Sequence, residues 1–284
     1  MKALSFSLVF ILASFLQLDI DAQLLYRISG NGLKQDSYLF GTIHTMPKED
    51  FEMPTAVLNA LKSCQTVALE IDLDMSLTEK IDLAKMSLLP NGGTLKEYMS
   101  DSSYNTLKKY CMDSIGWKES KFEQYEHLKP FFFSSLVLQE KIGKQKSFEM
   151  EFDKLAKKHN KPLIGLETVM YQMETVDKVS IKDQLQLMDD FSNMSEFDVL
   201  FNLYEEENID GLYNLISKET DMLPEFNHWF LDVRNANWIP IIEKQINQEP
   251  TFIAVGAGHL GGTNGVLALL RKQGYTLTGI KLKS

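Results

Sequence analysis

Apolar residues in this chain gather into a few short runs that end on glycine, histidine or a carboxylate, with long stretches of helical periodicity between them. Leu24–Ile28 and Tyr38–Ile43 are rich in aromatic and β-branched residues, and Gly30-Asn31-Gly32 and Gln35-Asp36-Ser37 lie between them. This predicts a hairpin whose second strand runs into the turn Gly41–His44. Pro54, followed by Val57, Leu58 and Leu61, predicts a first helix. The run TVALEIDL, Thr66–Leu73, reads as a buried strand broken only by Glu70. Strand, turn, helix and strand together make a βαβ unit.

From about 76 to 147 no strand signal appears. Periodic apolar residues predict several helices, broken at Asn91-Gly92-Gly93, Ser114–Gly116 and Lys129-Pro130, with Phe131–Leu138 buried. A further helix is expected over Glu149–His159, with Phe152, Leu155 and Ala156 on one face. A strand over Leu163–Leu166 then ends at Glu167. Thr168 to Gln248 is again helical in pattern. Thr251–Val255 is a strongly apolar strand that runs into Gly256-Ala257-Gly258-His259. A helix, Val266–Leu270, and a strand, Tyr275–Ile280, close the chain. The expected fold is α/β: a central sheet with βαβ units carrying two Gly-x-x-His turns, and a large helical insertion over 76–147. Ligands in such folds sit at the carboxyl ends of the strands.

The bulk properties narrow the possibilities. The chain has 284 residues, 44% of them hydrophobic, and a formal net charge of −10. That suits a substantial core and makes nucleic acid an unexpected partner, since phosphate binding needs clustered Lys and Arg. Met1-Lys2, an apolar run from Leu4 to Leu18 and a small residue at Ala22 match a secretory signal peptide, 1–22, followed by one domain over 23–284. The run is short for a membrane span, so the alternative of an uncleaved anchor is less favoured and no stable span is expected after cleavage. An exported protein, periplasmic or secreted, follows. Cys64 and Cys111 could form a disulfide there or remain two buried thiols.

His44 and His259 stand out among the five histidines because each follows a glycine-bearing turn at the end of an apolar strand. Neutral imidazole binds divalent metals and moves protons near neutral pH. Glu70, inside an apolar run, is costly to bury unless paired or bound to metal. Two imidazoles and a carboxylate would leave coordination positions open for water and substrate. Glu167 could be a ligand, a general base or the partner of an arginine. Arg234, followed by Asn235, needs a carboxylate partner or binds an anionic group or a developing oxyanion. Glu149 and Glu151 open a helix, where the helix dipole accounts for them. Asp72 and Asp74 are expected in solvent, and His127, His159 and His228 in surface or packing roles. Gly256, Gly258 and Gly261 have dinucleotide-loop spacing. They lie near the C-terminus with no acidic residue after a second strand, so nucleotide binding is not expected.

The stretches YLFGTIHTMP, TVALEIDL, FEMEFDKLAKKHNKPLIGLETVMYQ, LDVRNANWIPII and FIAVGAGHLGGTNGVLALLRKQGY, in this order, span about Tyr26 to Ile280. In them the chain resembles the TraB/PrgY/GumN/TIKI family. The resemblance implies an α/β fold related to the erythromycin-esterase and ChaN-like group, and peptidase activity dependent on a divalent metal such as Mn²⁺, Co²⁺ or Zn²⁺. It implies metal ligation by His44, His259 and Glu70, with Glu167, Arg234 and Asn235 at the family's other site positions. Ser147-Phe148-Glu149 departs from the Gly-x-Asp triplet of many bacterial relatives, which leaves the role of Glu149 open. Two other functions stand beside the metallohydrolase: a metal-free hydrolase using His and Glu, and a non-catalytic protein that sequesters a peptide or a metal. A peptide or small molecule is the expected substrate.

Overall fold

A computed structural model describes residues 23–186, 188, 195–220 and 224–282. The expected signal peptide, 1–22, lies outside the described residues. Among the described residues eight strands are present: β1 Leu25–Gly30, β2 Ser37–Thr42, β3 Met46–Pro47, β4 Thr66–Ile71, β5 Gln145–Lys146, β6 Leu163–Glu167, β7 Thr251–Gly256 and β8 Tyr275–Ile280. Six of them form one mixed sheet in the order β6-β4-β7-β2-β1-β8. Strands β6, β4, β7 and β2 run parallel, while β1 pairs antiparallel with both β2 and β8. The fold is α/β, as the alternation of runs predicts.

The order of strands differs from the simplest reading of the sequence. The helix Thr55–Ser63 does connect β2 to β4, but β7 lies between those strands. The reason is burial. Every residue of β7 is buried, on both faces, and a run apolar on both faces is stable only inside a covered sheet. The strand from the far end of the chain therefore takes the middle, and β2 and β4 flank it.

The apolar residues form two cores. The larger surrounds the sheet and includes Phe40, Phe152, Phe252 and Trp238. The smaller lies among helices and packs Leu95, Tyr104, Cys111, Trp117, Phe122 and Phe133. These come from the expected insertion, where the helices Leu77–Met86, Asp101–Asp113, Glu119–Tyr125 and Pro130–Ile142 fall. Cys64 belongs to the larger core and Cys111 to the smaller, and both are free. Of the two alternatives for the cysteines, the structure has the pair of buried thiols.

Two small elements have no signature in the apolar pattern. β3 pairs antiparallel with β5, and Lys48 N–H donates to Lys144 O at 2.9 Å. This ladder ties the chain just after His44 to the residues just before Ser147. The second is a π-helical turn, His228–Asp232, which leads into the helix Val233–Gln248.

Candidate functional site

The register of the parallel strands gathers the chemistry at their carboxyl ends. Thr42 lies opposite Gly256, Leu69 opposite Ala254, and Ile71 opposite Glu167. The turn after β2 carries His44, the turn after β7 carries His259, and β4 and β6 bring Glu70 and Glu167. Two glycines make the approach possible. A methyl group on Gly41 would stand 2.6 Å from Leu260 Cδ1, so the two turns could not touch. One on Gly256 would stand 3.2 Å from His44 Nε2 and 3.3 Å from Glu70 Oε1, in the gap between them. Glu70 therefore reaches the vicinity of His44 across β7.

Arg234 organises the acidic side. Its Nε donates to both carboxylate oxygens of Glu167, at 3.0 and 3.2 Å. Its Nη2 donates to Glu167 Oε1 at 2.7 Å and to Glu70 Oε2 at 2.5 Å. Nη1 donates to Phe230 O at 3.0 Å and contacts His259 Nε2 at 3.2 Å. A guanidinium has five N–H donors, and every one is engaged. Of the sequence-based alternatives for Arg234, the carboxylate partner is the one present, and no N–H is left over for an oxyanion. Trp238 adds a donor to Glu167 Oε2 at 3.0 Å and lays its ring 4.9 Å from the guanidinium carbon. Glu70 also accepts from the Gly256 N–H at 2.8 Å and from Gln172 Nε2 at 3.2 Å.

The two imidazoles are each held from behind. Asn235 Nδ2 donates to Asn264 O at 2.9 Å, which turns its Oδ1 toward His259 Nδ1 at 2.7 Å. The network thus assigns the proton to Nδ1 and the lone pair to Nε2 of His259, 3.7 Å from Glu70 Oε1. His44 Nδ1 faces Glu149 Oε1 at 3.2 Å. Glu149 is itself fixed by hydroxyl donors from Thr42 and Ser147, each at 2.6 Å. The second imidazole nitrogen of His44 has no hydrogen-bond partner among the described residues. Its side chain is 64% exposed, against 6% for His259.

These surroundings separate the ionisations. Burial pulls His259 down to about 3, and the positive charge of Arg234 adds to that, so the ring is neutral. Enclosure also works against a charge on His44, but the Glu149 hydrogen bond and the negative charges of Glu70 and Glu149 outweigh it and raise the ring to about 9. Burial opposes the charge on Glu70; the positive His44 ring, Arg234 and the Gly256 N–H overcome it and hold the carboxyl below the usual carboxylate range. Burial pushes Glu167 up, with Arg234 pulling it back.

Of the cluster, His44, Arg234 and His259 line the floor of a cavity of about 460 Å³. Its walls come from the helix Pro130–Ile142, the helices Ser195–Glu205 and Ile209–Thr220, and the π-helical turn. In kind the donors fit a divalent cation: two nitrogens with their partners fixed behind them, beside an ionised carboxylate. Glu70 and Glu167 face the Arg234 guanidinium and Glu149 backs His44, so the ionised carboxylates and the guanidinium together carry two negative charges when His44 is neutral. In position they are less complete. Among the described residues no group of three His, Cys, Asp or Glu side chains converges as a metal site, and Arg234 Nη1 already contacts the His259 lone pair.

The six residues singled out from the sequence, His44, Glu70, Glu167, Arg234, Asn235 and His259, thus meet in one cluster. Asp72 and Asp74 are exposed, as expected. His127 donates to Gly93 O at 3.0 Å, while His159 and His228 are exposed. Glu149 does more than open a helix. Thr42, Gln172 and Trp238 escaped the sequence reading because a lone polar or aromatic residue, on a strand or on a helix, carries no signal of its partner. Tyr204, whose hydroxyl donates to Gly41 O at 3.0 Å, escaped for the same reason.

The TraB/PrgY/gumN family model matches residues 24–279. No curated protein and no solved structure matches the chain. That match runs through every strand of the sheet and every residue of the cluster, and the chain belongs to the TraB/PrgY/gumN family.

Proposed function

We propose that this chain is a hydrolase of the peptidase class that works from the gap between His44 and Glu70 with a divalent cation held by His44, Glu70 and His259. One observation carries the reading: His44 Nε2 is open to the cavity and faces Glu70 Oε1 across the bare Gly256. A divalent cation such as Mn²⁺, Co²⁺ or Zn²⁺ supplies Lewis acidity toward a carbonyl and a more acidic water. The chain's own residues do the rest. Glu149 keeps the His44 ring oriented, Arg234 and Gln172 fix the Glu70 carboxylate, and Asn235 sets the His259 tautomer. Ligation by His259 requires Arg234 Nη1 to release its Nε2.

A metal-free hydrolase is the second reading, favoured by that same contact between Arg234 and His259. In it His44, protonated at neutral pH and backed by Glu149, delivers a proton to the leaving group. The kinship with the erythromycin-esterase and ChaN-like group belongs to this proposal, supported by a cluster at the carboxyl ends of parallel strands. So does export. It rests on Lys2, the apolar run and Ala22, and among the described residues no helix is long and apolar enough to cross a membrane. N-terminal sequencing of the protein recovered from outside the cytoplasm tests it, with Gln23 as the expected first residue.

Cleavage of a peptide library, with and without chelator and with each of the three metals, tests the activity. Cation-dependent cleavage that disappears in His44→Ala is the expected result. Cleavage that survives exhaustive chelation selects the metal-free reading. Tight peptide binding without turnover in any condition overturns both in favour of a sequestering protein.

A further inference from the structure

Above the polar floor, the cavity has a wall of three aromatic rings. Phe226 and Phe230 stack with centroids 4.3 Å apart and planes inclined by 11°, and Phe131 meets Phe230 at 5.3 Å. All three are only half-buried although they line the cavity, so apolar surface remains uncovered.

The polar side chains of that wall have turned away from the space. Ser134 donates to Pro130 O at 2.8 Å and Ser135 to Phe131 O at 2.9 Å, each onto its own helix. Gln184 gives both amide hydrogens to Val176 O and Val179 O. Tyr204 donates to Gly41 O, and Arg234 has no N–H left. An ionic group lodged against the aromatic wall would lose its hydration and find no partner there, which disfavours it. A neutral apolar group would lose only unfavourable contact with water.

The wall is joined to the cluster. Phe230 carries a ring on the cavity side, and its carbonyl oxygen accepts from Arg234 Nη1 at 3.0 Å. It stands in a π-helical turn, a rare geometry found often at functional sites. We propose that Phe131, Phe226 and Phe230 form a specificity subsite that takes one uncharged aromatic or comparably large apolar group of the substrate, next to the bond that is broken. The subsite rests on the hydrolase reading only for its place beside the bond that is broken; recognition of the apolar group does not depend on it.

The test is fluorescence titration of the full chain with N-phenyl-1-naphthylamine, an uncharged aromatic probe. Saturable binding is expected in the wild type. Loss of the ring in Phe230→Ala weakens it by about tenfold, the equivalent of one well-buried ring. Ser135→Trp, which fills the cavity from the facing helix, abolishes binding and covers the case in which Phe230→Ala does not fold. Probe binding unchanged in a folded Phe230→Ala or in Ser135→Trp, or no saturable binding in the wild type, overturns the subsite. Normal probe behaviour with no hydrolysis in any assay overturns the hydrolase reading and leaves the subsite standing.

Discussion

Arg234 grips Glu167 through one edge of its guanidinium, with Nε at 3.0 Å and Nη2 at 2.7 Å from the same oxygen, Oε1. Their side chains are 6% and 4% exposed. A buried pair of this kind contributes little compared with an apolar pair of equal shape, but removal of one partner strands the other. Glu167→Gln is expected to lower stability by about 3 kcal/mol, and Arg234→Met by about 5 kcal/mol, because it strands Glu70 as well as Glu167. Urea unfolding measures both, and losses under about 1 kcal/mol would contradict a structural role for the pair.

His44 should betray its partner through pH. The folded ring titrates at about 9, above the unfolded value of about 6.5. The folded state therefore holds the proton more tightly. That contribution to stability is fully present below pH 6.5 and fades as pH rises through 9. In chelated protein, the stability gap between wild type and His44→Gln should narrow across this window. NMR of the imidazole carbons should place its midpoint near 9 and move it down in Glu149→Gln. An unmoved midpoint refutes the Glu149 contact. The proton also competes with a cation: uptake should release about one proton and tighten about tenfold per pH unit between 7 and 9. His259, neutral throughout, adds nothing to that slope.

Gly256→Ala places a methyl group between His44 and Glu70. Both side chains can swing, so the fold should survive with a stability change under about 1 kcal/mol. Their spacing cannot survive. Cation affinity and hydrolysis should each fall about tenfold or more, as expected when reacting groups are misplaced by a fraction of an ångström. Calorimetric titration beside a urea melt separates the two effects, and full activity in the alanine variant would remove the gap from the mechanism.

The two thiols offer a simpler check. Burial pushes Cys64 and Cys111 up to about 12, and only the thiolate reacts. The native protein should resist iodoacetamide at pH 8 and take up two equivalents in denaturant. Intact mass showing a bridge would contradict the separate cores.

The parts of the site that were legible share one physical trait. Gly41, His44, Gly256 and His259 show because a glycine and an imidazole follow an apolar strand, where neither is needed for packing. Glu70 shows because a carboxylate within TVALEIDL must have a partner. Its route to His44 was not legible. Adjacency of β2 and β4 seemed the natural way to join them, yet β7 comes between, a matter of which strand is most apolar overall. Glu149 sat at a helix start, where a carboxylate always has a local explanation; the pairing of β3 with β5 and the packing of Phe148 on Phe40 and Phe51 bring it beside His44. Gln172 and Phe230 depend on helix packing between segments far apart in the chain, which no local pattern encodes.

The sheet assembles out of chain order. Two of its central strands, β2 and β4, are made early, but the strand that joins them is β7, and β1 waits for β8 to cover its other edge. A nascent chain that has reached residue 248 holds two pieces of sheet with open edges and no strand to unite them. Such unpaired edges attract other chains. The protein must stay unassembled until its last strands have emerged, and a loss of even the final forty residues leaves an aggregation-prone fragment rather than a smaller working protein.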